Sequence, residues 1–304
     1  MTILVASATA NTGANTVRAL SSRGVNVRAM VRKAGDPRAV ALAALPHVTL
    51  VEGDFDDHDS VKRALEGCKR ALLVSGAFAY EQFEREVFFV ETATRLGLEC
   101  VVRISTASFL IHPGTKGQYG RAHHGIESFC KTGQHKVIHL NPNWFFTNLL
   151  GNAAEAKSSG KISLPCEGTG AGIRMIDPRD IGEAAAAILS LETSAALEPL
   201  LSKGCIELHG PACVNLHQNV EAISMAVWYD IQFQKVPREV WLNLVLVMGI
   251  PRVFANSFLN TVEQTDGLTP PGYENFPKLN YPEIDTSAEL LAIWKPKYTL
   301  EDWA

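Results

Sequence analysis

The first hundred residues alternate between two hydrophobic periods. Mostly apolar runs stand at Ile3–Ala6, which is unbroken, and at Val25–Val31, Val48–Val51, Ala71–Ser75 and Cys100–Ile104, the pattern of strands buried on both faces. Between them, Thr12–Arg23, Ala39–Leu45, Asp59–Glu66 and Tyr80–Leu96 carry apolar residues at helical spacing. Parallel strands are joined by long crossovers rather than hairpins, so this alternation predicts a doubly wound parallel α/β sheet. The series continues with a helix near Gly120–Thr132, a strand at Lys136–Leu140 and a helix at Trp144–Ala156.

Beyond that point the pattern loosens. Gly160–Gly172 reads as a loop between short strands. Asp177–Leu191 reads as a helix with Asp177 as N-cap and Pro178 in its first turn. Cys205–Leu208 predicts a strand, Asn215–Trp228 a helix, and Pro237–Glu263 mostly helix. Gly267–Tyr281 is dense in Pro and Gly and predicts an arm over the surface. The expected division is a sheet domain over residues 1–152 and a smaller α+β substrate region over 153–304, some of whose strands and helices return to the first domain.

Composition narrows the partners. The 304 residues are 46% hydrophobic and 20% charged, too apolar for a disordered chain. Lys+Arg number 28 against 32 Asp+Glu, a net charge of -4, which leaves no electrostatic footprint for nucleic acid or an anionic membrane. A small molecule is the expected partner. The start MTILVASATA lacks a basic segment followed by a long apolar one, and Trp241–Ile250 is too short to span a bilayer. Six cysteines without a CxxC pair suggest neither zinc nor a disulfide framework, and fit a reducing cytoplasm.

The candidate chemistry lies where the expected strands end. After the first strand, Ser7-Ala8-Thr9-Ala10-Asn11-Thr12-Gly13 leads straight into a helix, the place of a glycine-rich phosphate turn. Only the third glycine survives, as Gly13; Ser7 and Ala10 occupy the other two places. A helix N-terminus still offers its unpaired N–H groups to an anion, with Thr9, Asn11 and Thr12 beside it. Arg32 and Lys33 end the second strand, where an arginine can pair with the 2′-phosphate of NADP. Asp54 and Phe55 follow the third strand and are placed to frame an adenine. Ser75-Gly76 ends the fourth, and Ser105 with Thr106 follows the fifth. The alternative is a plain β-turn-α connection with solvated strand ends.

The segments SATANTGANTVRAL, VRAMVRK, VEGDFDD, VRISTAS, YGRAHHGIE, LNPNWFFTNLL, IDPRDIGEAAAAIL and ELHGP resemble the NmrA-like family of atypical short-chain dehydrogenases/reductases, its fungal members in particular. The resemblance runs from residue 2 to about 235. It implies a Rossmann-like NADP(H)-binding domain with a smaller C-terminal substrate region. The family's GATGxxG opening is altered here at Ser7 and Ala10. The wider superfamily pairs a catalytic Tyr with a Lys four residues on; here Tyr119 is followed by His123, with Glu127 one further turn along. His123 and Glu127 share a helical face and are expected to hydrogen-bond. His124 lies about 100° around the helix, so no metal site is expected. The resemblance places Pro142 and Asn143 by the nicotinamide and makes Trp144, Phe145 and Phe146 a substrate wall, although the three aromatics equally suit a core.

Three readings follow. The first is an NADP(H)-dependent oxidoreductase reducing a small apolar carbonyl or enone in secondary metabolism, with Tyr119 or His123 supplying a proton. The segment Trp241–Phe258 and the arm around Tyr273 and Phe276 would then close an apolar cavity suited to a flat aromatic polyketide or terpenoid. The second is a redox-neutral isomerase, cyclase or dehydratase on a degenerate loop. The third is a non-enzymatic NADP(H) sensor that binds a protein partner. A homodimer is compatible with all three.

Overall fold

The computed structural model describes residues 1–76, 81–111, 118–170, 172–247, 249–265 and 285–303. Its strands are β1 (Thr2–Val5), β2 (Asn26–Val31), β3 (Val48–Glu52), β4 (Arg70–Leu73), β5 (Cys100–Ile104), β6 (Val137–Pro142), β7 (Lys161–Leu164), β8 (Cys205–Leu208) and β9 (Gln232–Lys235). The helices are α1 (Asn11–Ser22), α2 (Pro37–Ala43), α3 (His58–Leu65), α4 (Gln82–Arg95), α5 (Gln118–Thr132), α6 (Ala153–Ser159), α7 (Pro178–Leu189), α8 (Ser194–Lys203), α9 (Leu216–Val227), α10 (Arg238–Val247) and α11 (Arg252–Thr265). Seven strands pair in parallel in the order β3-β2-β1-β4-β5-β6-β8. This is a Rossmann-like fold. Its winding reverses between β1 and β4, and a crevice opens at the carboxyl ends of the strands there.

Alternation along each strand divides the interior. Ile3, Val5, Val102, Ile138, Leu140, Ile206 and Leu208 face one side, where they pack on α1, α7 and α8. Leu4, Ala71, Leu73, Val101 and Val137 face the other, under α3, α4 and α5. The helices α1 and α7 press together at Gly182, where a Cβ would stand 2.5 Å from Asn15 Cβ. Only a glycine fits that crossing. Asp36 and Asp177 cap α2 and α7 through bonds to the Arg38 and Arg179 amides.

Some segments differ from expectation. Trp144–Ala156 is not one helix: Phe146–Asn152 is 3₁₀ and α6 follows it. Its buried Phe146 and Leu149 pack with Ile173, Met175 and, from α9, Ala222 instead of lining one α-helical face. The glycine-rich Gly160–Gly172 contains β7, which pairs in parallel with β9 in a second, two-stranded sheet. The helix α8 carried no clear sequence signal. Tyr80 and the Gly267–Tyr281 arm, with Tyr273 and Phe276, lie outside the described residues. All six cysteines are free thiols. No helix among the described residues is long and apolar enough to cross a membrane.

Candidate functional site

The turn after β1 keeps a glycine's shape without the glycine. Ser7 adopts φ +49°, a left-handed conformation that costs a residue with a Cβ about 1 kcal/mol. Its carbonyl accepts from the Ala10 amide at 2.9 Å. Gly13 sits behind that carbonyl, where a Cβ would be 2.4 Å from the Ser7 oxygen, so this position admits only glycine. Ala10 is the N-cap of α1 and has no side chain to cap it. The first-turn amides of Asn11 and Thr12 are thus left to water or to an anion. Thr9 is half-buried beside them, and Asn11 is exposed.

A crevice opens beside this turn. It brings together Thr12, Ser75, Ser105, Tyr119, His123, Pro142, Asn143, Trp144 and Phe145 from the sequence-derived set, together with Thr106. The walls also include Gln82, Leu110, Asn148 and Phe258. Trp144 stacks on Phe258 with centroids 5.4 Å apart, and Phe258 stacks on Trp241 at 5.3 Å, which makes one side flat and apolar. Phe146 lies instead in a buried cluster with Leu149 and Met175.

The remaining candidates stand farther along the same edge. The Arg32 and Lys33 side chains are exposed at the end of β2, and the Arg32 charge helps to hold down the pKa of the nearby Asp36. Asp54 accepts from the Asp56 amide at 3.1 Å, and Phe55 packs against Phe89 with centroids 6.1 Å apart. Gly76 is exposed.

Beneath the crevice lies a buried polar network. Arg103, in β5, is fully buried and ion-paired with the equally buried Glu86 of α4. Glu86 also accepts from Ser75 Oγ at 2.5 Å and from Gln82 Nε2 at 2.9 Å. Arg103 Nη2 donates to His123 Nδ1 at 2.8 Å, and its Nη1 lies 3.5 Å from His139 Nδ1. Burial, with the neighbouring Arg103 charge, pushes both imidazoles well below their ordinary pKa. They are neutral.

The expected His123–Glu127 bond is replaced. Arg103 takes the histidine nitrogen, and Ser105 Oγ donates to Glu127 Oε1 at 2.8 Å. Burial raises the Glu127 carboxyl, against the Ser105 hydrogen bond and the Arg103 charge. It also raises the Tyr119 phenol, against a hydrogen bond from Thr106, so the phenol keeps its proton at neutral pH.

Gln82, Glu86, Arg103 and His139 were missed as site residues. Arg103 and His139 had a signal: each is the polar residue of a strand whose neighbours are apolar, and a buried charge must be paired. Asn143 is fixed separately, with Nδ2 donating to His209 Nδ1 at 2.9 Å and His209 Nε2 lying 3.0 Å from Glu207 Oε2. No group of three or more His, Cys, Asp or Glu among the described residues could hold a metal ion.

The profile of the NmrA-like family matches residues 1–304. Among solved structures, the chain is similar to triphenylmethane reductase from Citrobacter sp. complexed with NADP(H), at 18% identity and TM-score 0.74, over 99% of this chain and 98% of that one. An NADPH-dependent quinone oxidoreductase from Escherichia coli, complexed with NADPH, matches at 18% identity and TM-score 0.73 over 99% and 98%. NmrA, a negative transcriptional regulator in complex with NAD, matches at 16% and 0.73 over 99% and 93%. Sterol demethylase protein B of Methylococcus capsulatus is 34% identical over 116 residues, 35% of this chain and 34% of that relative's length.

Proposed function

We propose that this chain, which belongs to the NmrA-like family, is an NADP(H)-dependent oxidoreductase that reduces a small, flat, apolar carbonyl compound or enone. The observation that carries this reading is the crevice itself: one cleft joins the first turn of α1 to a protonated phenol, Tyr119, and to the Trp144–Phe258 wall. The triphenylmethane and quinone reductases of similar fold support it.

The chain's residues fit the dinucleotide. Ser7 holds the left-handed turn of the absent glycine, no side chain caps α1, and Arg32 is exposed at the end of β2. Asn11, Thr12 and Gly13 would hold the pyrophosphate and Arg32 the 2′-phosphate. When bound, the cofactor supplies a hydride. The protein's part is to exclude water with Trp144, Phe145 and Phe258, to orient the carbonyl, and to give a proton from the Tyr119 hydroxyl. The sensor reading draws on the likeness to the NmrA regulator. The redox-neutral reading rested on the loss of two loop glycines, and the backbone at Ser7 weakens it.

Calorimetric titration with NADPH and NADH tests the first step, followed by NADPH oxidation against a panel of quinones and enones. Binding of NADPH, weakened roughly tenfold in Arg32→Ala, is expected. NADH binding should be nearly unchanged in that variant. No NADPH binding at millimolar concentration would sink the reading, while binding without turnover would favour the sensor.

A further inference from the structure

Among the described residues, two hydrogen-bond donors around His123 are left without an acceptor. Arginine carries only donors, so His123 Nδ1, 2.8 Å from Arg103 Nη2, must accept. Ser105 Oγ is 3.2 Å from the same nitrogen, but its one proton is directed to Glu127. The ring is neutral, so its remaining hydrogen is on Nε2. The polar atom beside Nε2 is Gln82 Nε2, at 3.4 Å. That amide nitrogen donates to Glu86 Oε1 at 2.9 Å; turning the amide over would set two acceptor oxygens against each other. Gln82 therefore cannot accept from His123, and its second N–H also has no acceptor among the described residues.

Both residues are almost wholly buried, 3% and 2% exposed, and both line the crevice. Buried donors are ordinarily satisfied. A single oxygen about 2.9 Å from each nitrogen would satisfy both.

We propose that Gln82 Nε2 and His123 Nε2 form an oxygen-binding subsite, which receives the carbonyl oxygen of a quinone or enone and holds the negative charge that reduction places on it. The inference deepens the carbonyl-reductase reading by assigning separate tasks to His123 and Tyr119. Hydride addition to the substrate carbon moves the C=O π electron pair onto oxygen, directly or through the conjugated double bond. The two N–H groups stabilise that oxyanion. The Tyr119 phenol, edge-on to the imidazole with centroids 4.5 Å apart, then gives the proton and is reprotonated from water. His123 keeps its own proton throughout, because losing it would leave an imidazolate. Gln82 and His123 are thus catalytic residues by contact, and Arg103 is a positioning residue that fixes the tautomer.

The probe is 4-nitrophenol, titrated against the full chain with no nucleotide present and read by its phenolate absorption band. The bound phenol should ionise about one pH unit below the free one, and Gln82→Met should weaken phenolate binding roughly tenfold. An unshifted titration in the wild-type chain overturns the subsite even if the variant fails to fold. A folded Gln82→Met chain that binds phenolate like wild type overturns it as well. The nucleotide plays no part in this measurement. A shifted titration in a chain that binds no NADPH therefore supports the subsite while sinking the reductase reading. NADPH-dependent turnover with kcat unchanged in Gln82→Met does the reverse.

Discussion

Arg70 and Arg103 lie in neighbouring strands and are both wholly buried, 1% and 0% exposed, yet their partners differ in kind. Arg70 opens β4 at the amino edge of the sheet and faces α7. It donates to the Leu189 and Leu191 carbonyls at 2.9 and 2.6 Å and pairs with the half-buried Glu99. It thereby satisfies backbone oxygens that the end of α7 would otherwise leave orphaned. Arg103 sits toward the carboxyl end of β5, and its partners are the side chains of Glu86, His123 and His139. No backbone group there depends on it. A buried ion pair is seldom worth more than an apolar pair of the same volume, so packing does not account for Arg103. In the proposed subsite, its hold on His123 does.

Breaking each arginine separately gives the largest expected effect. Arg103→Met leaves Glu86 buried without its cation and should cost about 3–5 kcal/mol in urea unfolding. Adding Glu86→Gln should recover most of that. Arg70→Met loses two bonds to carbonyls, about 1–3 kcal/mol, while Glu99 can turn to water. The contrast becomes sharper with a ligand: the 4-nitrophenol titration should move in Arg103→Met/Glu86→Gln and stay put in Arg70→Met. If Arg70→Met costs as much, or shifts that titration, the two arginines are not different in kind.

A smaller effect is expected with pH. His123 and His139 are held neutral, well below their ordinary 6.5, by burial and by Arg103. Below pH 6.5 the unfolded chain takes up these protons first, so stability is fully present above that pH and lost as pH falls. The slope is about 1.4 kcal/mol per pH unit for each histidine. Burial raises Glu127, and raises Asp180 to about 6; each has the opposite sign, present at low pH and lost as pH rises through the folded value. The net slope is therefore less than two protons. His139→Phe should remove about one proton from it, measured by urea midpoints between pH 5 and 7. Arg70→Met should leave the slope as it is, because no histidine is among its hydrogen-bond partners. A wild-type slope in His139→Phe would mean that burial and Arg103 do not hold that imidazole neutral.

The arginines also mark what the chain discloses on its own. Strands covered on both faces are mostly apolar, so the alternation of β1 to β5 with helices was legible, and the crevice followed from where those strands end. That is why Thr12, Ser75, Ser105, Tyr119 and Asn143 could be named together. Gln82 and Glu86 were hidden because polar residues at the start of an amphipathic helix look solvated. Their burial depends on contacts with Arg103 and His123, 17 and 41 residues away. The His123–Glu127 bond was the natural local pairing, and a charge from another strand overrode it. The 3₁₀ geometry of Phe146–Asn152 was illegible for a similar reason, since its apolar residues serve a corner of the fold rather than a helical stripe.

The smallest expected effect is at Ser7, and it extends the contrast from two residues to the two edges of the sheet. At the amino edge, Arg70 satisfies the end of α7. At the carboxyl edge the fold carries costs: a buried ion pair, two donors without an acceptor among the described residues and a serine at φ +49°. His47, Gln134 and Trp228 share this left-handed backbone, but they lie in connections away from the crevice. A glycine at position 7 removes a strain of about 1 kcal/mol and gives part of it back as unfolded-chain entropy. Ser7→Gly should therefore stabilise the chain by up to about 1 kcal/mol in urea unfolding, with the 4-nitrophenol titration unchanged. Stability lost on that substitution would mean that the Ser7 side chain contributes more than its backbone costs. The carboxyl edge would then resemble the amino edge at this position, and the cost assigned to it would rest on Arg103 and the donor pair alone.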